Sequence, residues 1–218
     1  MMLTITNEDN MVMMARYPDK YFDLAIVDPP YGINAPKMSA TPAQRKNGSK
    51  RLNGGAGKLK NRVLNTSNFD WDEFVPDDNY FNELFRVSKN QIIWGGNYFN
   101  LNQTRCIICW DKMQPWENFS QIEIAWTSYD SPAKIFKFDN RTGGKIHPTQ
   151  KPTELYKWLL SKYAKPGDKI LDTHLGSGSI AIACHDYGYD LTACELDPDY
   201  YNAAMQRIKN HTDQLKIF

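Results

Sequence analysis

Between Gly32 and Phe69 the chain carries no acidic residue. Over the same stretch it has Lys37, Arg45, Lys46, Lys50, Arg51, Lys58, Lys60 and Arg62, interleaved with Gly, Asn and Ser, so the formal net charge of +1 for all 218 residues conceals an uneven distribution. Long apolar runs are missing too: none approaches the roughly 20 residues that span a bilayer. The amino-terminal MMLTITNEDNMVMM has acids where a secretory leader has a basic start and an apolar centre. A cytoplasmic protein with no membrane partner is therefore expected. Cysteine is scarce, at 106, 109, 184 and 194. Cys106 and Cys109 lie in a β-like run that sends them to opposite faces, and no second pair or His pair stands at zinc-finger spacing. Reduced core cysteines and no metal are expected.

What is present reads as one α/β domain spanning 1–218, with 41% apolar and 13% aromatic residues. β-like runs occur at 3–5, 24–27, 91–94, 106–110, 122–126, 134–138, 170–171 and 190–194. Helical spacing appears after Pro152, where Leu155, Trp158 and Leu159 form a stripe, and again over 180–187 and 200–210. The last third thus alternates helix and strand, as in a doubly wound, mostly parallel sheet. The acid-free loop at 32–69 is too long to be an ordinary connection. Its charge suits a polyanion, and its composition equally suits a merely soluble loop.

Near the carboxyl end, a strand ending at Asp172 is followed by a turn at Gly176-Ser177-Gly178, a helix, and a second strand ending at Glu195. Glycines permit a tight turn and close ligand approach, while an acid about 20 residues on accepts from ribose hydroxyls. The Gly-Lys-Ser/Thr ending of a P-loop and the third glycine of a dinucleotide fingerprint are both absent, so nothing here cradles a polyphosphate. Asp172 would repel phosphate and accept from an amine. Upstream, His147-Pro148-Thr149-Gln150-Lys151-Pro152 precedes a helix, whose start, with a hydroxyl and an ammonium, would hold a carboxylate. Ribose, amine and carboxylate together describe S-adenosylmethionine.

The run ending Asp28-Pro29-Pro30-Tyr31 closes a buried strand on an acid. The plain reading is a strand-to-loop turn. Such a tetrapeptide arises by chance on the order of once in a thousand chains of this length. In an open α/β sheet Asp28 would face the same crevice as Asp172 and Glu195. The carboxylate and the Pro29 carbonyl would then accept both hydrogens of an exocyclic base amine, drawing its lone pair back onto nitrogen for attack on a methyl sulfonium. Neither proline offers an N–H to compete, and Tyr31 supplies a flat face for an extruded base.

DPPY at 28–31, HPTQKP at 147–152 and DTHLGSGS at 172–179, in that order, resemble the S-adenosylmethionine-dependent DNA adenine-N6 methyltransferases, in the motif order of the beta class. WGGNYF at 94–99, CWDK at 109–112 and IAWTS at 124–128 look like the short phage or prophage members. The resemblance implies a Rossmann-like class I methyltransferase fold with circularly permuted motifs, beginning the catalytic half at 1–31 and placing the cofactor half at 147–218. It assigns target-amine binding to Asp28 and Pro29, base stacking to Tyr31 and ribose binding to Glu195. Asp172, Gly176, Ser177 and Gly178 take cofactor-loop roles, and His147, Pro148, Thr149 and Lys151 those near the methionine end. By the same alignment Asp9 accepts from the cofactor adenine. The family's turn usually carries Phe where this chain has His174. DNA is the implied partner, with 32–69 as the contact loop, and a homodimer is expected by analogy. The rivals are cytosine-N4 methylation, for which Ser-Pro-Pro-Tyr is more usual in the resemblance, and a catalytically silent DNA-binding protein of the same fold.

Overall fold

The computed structural model describes residues 1–33, 72–73, 75–115, 120–139, 146–147 and 149–214. The eight basic residues Lys37, Arg45, Lys46, Lys50, Arg51, Lys58, Lys60 and Arg62, together with Pro148, lie outside these described residues. Among the described residues eight strands form one sheet: β1 (Leu3–Asn7), β2 (Phe22–Val27), β3 (Ser88–Trp94), β4 (Ile107–Asp111), β5 (Ile122–Thr127), β6 (Lys134–Lys137), β7 (Lys169–Asp172) and β8 (Asp190–Glu195). Their order is β1-β8-β7-β2-β3-β5-β4-β6. Every strand runs parallel to the rest except β5, which pairs antiparallel with both β3 and β4. The expected α/β fold with a mostly parallel sheet is what is found.

Helices cover both faces, which is why β2 reads FDLAIV rather than alternating. Leu24 and Ile26 point into one core, with α3 (Thr153–Tyr163), α4 (Ser179–Tyr187) and α5 (Pro198–Thr212) above it. Ala25 and Val27 point into the other, closed by α1 (Asn10–Met14) and α2 (Asp78–Val87). On α3 the buried stripe is Leu155, Tyr156, Leu159 and Leu160, with Trp158 only partly buried at its margin. Pro152 is the N-cap of α3 rather than its first residue. All four cysteines are free; Cys106 precedes β4 and is buried, while Cys109 is partly buried. No helix among the described residues is long and apolar enough to cross a membrane.

β8 and β1 lie on one side of β7 in the sheet, and β2 and β3 on the other. The boundary between β7 and β2 is a topological switch point, where the carboxyl ends of adjacent strands open a crevice. Asp172 ends β7, and Asp28 follows β2.

Candidate active site

The turn after β7 is held by its own backbone and by three neighbours. Gly178 has φ +73°, and a Cβ there would stand 3.0 Å from Ile208 Cδ1, so this glycine lets α4 approach α5. The Gly176 amide donates to Glu195 Oε2 at 2.8 Å, and the Asp197 amide donates to Oε1 at 3.0 Å. Glu195 therefore ties the turn to the end of β8; burial raises its pKa and these amides pull it back. Arg207 on α5 donates to Ser177 O at 2.7 Å and Ser179 Oγ at 2.9 Å. Ser179 in turn donates to Lys151 O at 2.8 Å, so the glycine turn and the 147–152 segment are cross-linked.

Between them lies a cavity of about 500 Å³, within the range of small-molecule sites. Of the residues expected to hold a cofactor, Asp28, His147, Thr149, Lys151, Gly176, Ser177 and Glu195 line it. Three do not. Asp9 is the N-cap of α1, its Oδ1 accepting from the Met11 and Val12 amides at 2.8 and 3.2 Å; its neighbours Glu8 and Asn10 line the wall instead. Gly178 is taken up by helix packing. Asp172 is 2% exposed and stands behind the wall, its Oδ1 accepting the His174 amide at 3.0 Å. Burial raises its carboxyl to about 8, the His174 amide opposing and Asp28 and Glu195 adding to the rise.

His174 lines the cavity from this turn. Its Nε2 lies 3.1 Å from Asn10 Nδ2, an amide donor, which places the imidazole proton on Nδ1, 2.9 Å from Thr173 Oγ1. Burial lowers its pKa to about 4, so the ring is neutral at pH 7. His147 packs its ring 4.3 Å from that of Tyr200, and its Nδ1 meets the Thr149 hydroxyl at 3.1 Å.

At the other end of the cavity is a charged corner. Asp28 Oδ1 accepts the Tyr31 hydroxyl at 2.5 Å, and Oδ2 accepts Lys151 Nζ at 2.5 Å. The prolines add no donor, as expected, yet two side chains do compete for this carboxylate. It retains acceptor capacity, because two carboxylate oxygens offer about four lone-pair sites. Lys151, expected to face a ligand carboxylate, instead places its ammonium between two protein carboxylates, with Glu123 Oε2 at 3.0 Å on the far side. Glu123 Oε1 meets Lys112 Nζ at 2.5 Å. Burial alone would lower the pKa of Lys151, but Asp28 and Glu123 outweigh this and raise it. Burial works against Glu123 as well, and the two ammonium groups hold it down at about 2. For Asp28 burial wins and the pKa rises, with Lys151 opposing.

Tyr31 is placed by its backbone and by its ring. Asp72 Oδ1 accepts the Tyr31 and Gly32 amides at 2.6 and 3.0 Å. The ring stacks on Tyr98 at 5.1 Å and 14°, above Gly95, where φ is +72° and a Cβ would lie 2.2 Å from Tyr31 Cε1. The WGGNYF motif thus supplies a shelf for the tyrosine. Pro30 lines the cavity and Pro29 is buried beside it. Glu123, Lys112, Asp72, Asn10 and Arg207 had no site role in the sequence, although Lys112 ends the CWDK motif. A lone charge inside the apolar strand IEIAWT was the one signal available for Glu123.

Away from the cavity, His185, Asp186 and His211 come together in a group whose geometry could hold a metal ion. Its carboxylate is already engaged by Lys157 Nζ and His211 Nε2, each at 2.7 Å, so the group ties α4 to α3 by an ion pair and to α5 by a hydrogen bond.

The family model described as DNA methylase, of the N6 and N4 type, matches residues 22–206. The type II methyltransferase M2.DpnII of Streptococcus pneumoniae is 27% identical over 148 residues, 68% of this chain and 52% of that protein. The chain spans about half the length of the curated relatives it matches. Among solved structures, the M1.HpyAVI–SAM complex superposes with a TM-score of 0.58 at 18% identity, covering 94% of this chain and all of that one. The cytosine-N4-specific PvuII DNA methyltransferase superposes with a TM-score of 0.61 at 11% identity, covering 98% and 91%.

Proposed function

The chain belongs to the N6/N4 DNA methylase family, and from that premise we propose that it transfers a methyl group from S-adenosylmethionine to the N6 amine of an adenine swung out of duplex DNA. The observation that carries this reading is the meeting of Asp28 with a cavity of about 500 Å³ at the β7/β2 switch point. The donor set fits a nucleoside bearing a cation: the cavity wall combines Glu8, Glu195 and Asp197 with the neutral rings of His174 and Tyr200. When bound, S-adenosylmethionine supplies an electrophilic methyl on a sulfonium. Glu195 accepts from ribose hydroxyls with the lone pairs that Gly176 and Asp197 leave free. Glu8 and Asn10, which line the wall, take the adenine-facing role that the resemblance gave to Asp9. Asp172, protonated behind the wall at neutral pH, braces the turn by accepting the His174 amide, and His147 and Thr149 bound the methionine end.

On the substrate side, Asp28 and the Pro29 carbonyl accept the two amine hydrogens, concentrating the lone pair on N6. Tyr31 stacks on the extruded base. As the amine nitrogen takes the methyl that the sulfonium would supply, with that bond's electrons left on sulfur, the amine proton would pass toward Asp28. An aspartate rather than a serine at the head of the tetrapeptide supports adenine over cytosine. The basic 32–69 segment grips DNA phosphates, and a second copy of the chain adds contacts that one small domain lacks. Such a protein works beside DNA in the cytoplasm.

The reading is tested by incubating the protein with methyl-labelled S-adenosylmethionine and mixed-sequence duplex DNA. Label is expected in precipitated DNA, with a loss of at least about 100-fold in Asp28→Ala. No label, or equal label from the variant, would overturn it.

A further inference from the structure

Four charges alternate in sign along one line at the carboxyl edge of the sheet: Lys112, Glu123, Lys151 and Asp28. The three contacts are 2.5, 3.0 and 2.5 Å. Lys112 follows the end of β4, and Asp28 follows the end of β2. Glu123 is the second residue of β5 and reaches the same edge only because β5 runs backwards, pairing Glu123 with Trp110 and Ala125 with Trp94. Lys151 is the most enclosed of the four, its side chain 2% exposed, with the Trp94 ring 5.2 Å below its ammonium.

A buried ammonium with one carboxylate neighbour would spend itself on that neighbour. Here it has two. The 3.0 Å approach to Glu123 Oε2 is a charge contact without hydrogen-bond alignment, whereas Asp28 Oδ2 receives a direct bond. We propose that Glu123, anchored by Lys112, is a positioning residue that shares the Lys151 ammonium with Asp28, so that Asp28 keeps enough negative charge to draw the hydrogens of the target amine. The inference rests on the reading of Asp28 as the amine acceptor.

Sharing has a directional consequence. Removing the Glu123 charge leaves Lys151 wholly to Asp28, which becomes less basic and a weaker acceptor. Removing the Lys112 charge does the opposite. The other titratable groups facing this chain are Tyr31 beside Asp28, Tyr156 on α3 and Asp172 at the end of β7. The two tyrosines are held protonated by burial, and burial raises the Asp172 carboxyl to about 8, with the Asp28 charge adding to the rise.

The test compares the pH dependence of kcat for wild type, Glu123→Gln and Lys112→Met, with S-adenosylmethionine affinity measured by calorimetry on each. The acid limb of the profile is expected to move to lower pH in Glu123→Gln and to higher pH in Lys112→Met, each by on the order of one unit. At neutral pH, Glu123→Gln loses kcat on the order of tenfold while cofactor affinity stays within about twofold, and Glu123→Asp recovers part of the loss. Limbs that stay put, or that move in the same direction in both variants, would overturn the proposal. If Glu123→Gln does not fold, the partly exposed Lys112→Met decides by itself. An inactive wild type at every pH would remove the methyltransferase reading and this inference with it; an active wild type with unmoved limbs removes the inference alone.

Discussion

Gly95 lies so close beneath Tyr31 that no side-chain atom fits between them: a Cβ on Gly95 would stand 2.2 Å from the ring. Its φ of +72° independently disfavours any other residue. Gly95→Ala must therefore push the tyrosine off its shelf on Tyr98. A stability loss of about 1–3 kcal/mol is expected, with kcat/KM for DNA falling more than tenfold and cofactor affinity unchanged. Urea unfolding, steady-state kinetics and calorimetry check the three parts.

Asp172 stores a pH dependence of folding. Its carboxyl is raised from 3.8 to about 8 in the native protein. The folded chain therefore holds a proton that the unfolded chain releases, and the associated stability is full below about pH 4 and is lost as pH rises towards 8. Asp172→Asn should flatten urea-measured stability across that window. At pH 8 the variant should exceed wild type by about 1–3 kcal/mol, less whatever the His174 amide loses as donor.

His174 works in the opposite direction. With its pKa lowered from 6.5 to about 4, the unfolded chain takes the proton first. Its contribution is present above about pH 6.5 and is lost as pH falls through 4. His174→Phe should shrink the stability difference between pH 7.5 and pH 5. At pH 7.5 it should cost about 1 kcal/mol for the lost Asn10 and Thr173 partners.

Arg207 fastens the glycine turn without lining the cavity. Arg207→Met should weaken S-adenosylmethionine binding by about tenfold, with little change in kcat at saturating cofactor. Calorimetry and kinetics on the same preparation separate the two effects.

The basic stretch makes a separate prediction. Lys50→Ala with Arg51→Ala should weaken DNA binding, lower the slope of log affinity against log salt by about two, and leave cofactor binding intact. An equal loss of cofactor affinity would contradict the assignment.

Local pattern revealed all eight strands and the three carboxyl-terminal helices, because β-branched and aromatic runs between turn residues are self-announcing. Most strand ends came out short by one to three residues, since polar termini such as Ser88 and Glu195 belong to the ladder without belonging to the apolar run, while 106–110 began one residue before β4 and 134–138 ran one past β6. α2 went unread although Asp77 caps it and Tyr80, Phe81, Leu84 and Val87 form its buried face; α1, with five residues, is held mainly by the Asp9 cap. The reversal of β5 is a property of the sheet, invisible in any single strand, and with it Glu123 was lost. Lys151 was singled out because its segment suggested a helix-start anion site, and its four-carbon stem reaches back to Asp28, 123 residues earlier, a contact that no local pattern announces. The tetrapeptide was legible because its four residues are contiguous, while the groups that contact Asp28 and its neighbours are distant in sequence.

The most direct test of the account is the chemical identity of the product. DNA methylated by the protein should be digested to nucleosides and analysed by mass spectrometry. The account predicts N6-methyldeoxyadenosine, lost in Asp28→Ala. N4-methyldeoxycytidine as the sole methylated nucleoside, or methylation that survives Asp28→Ala, would contradict it.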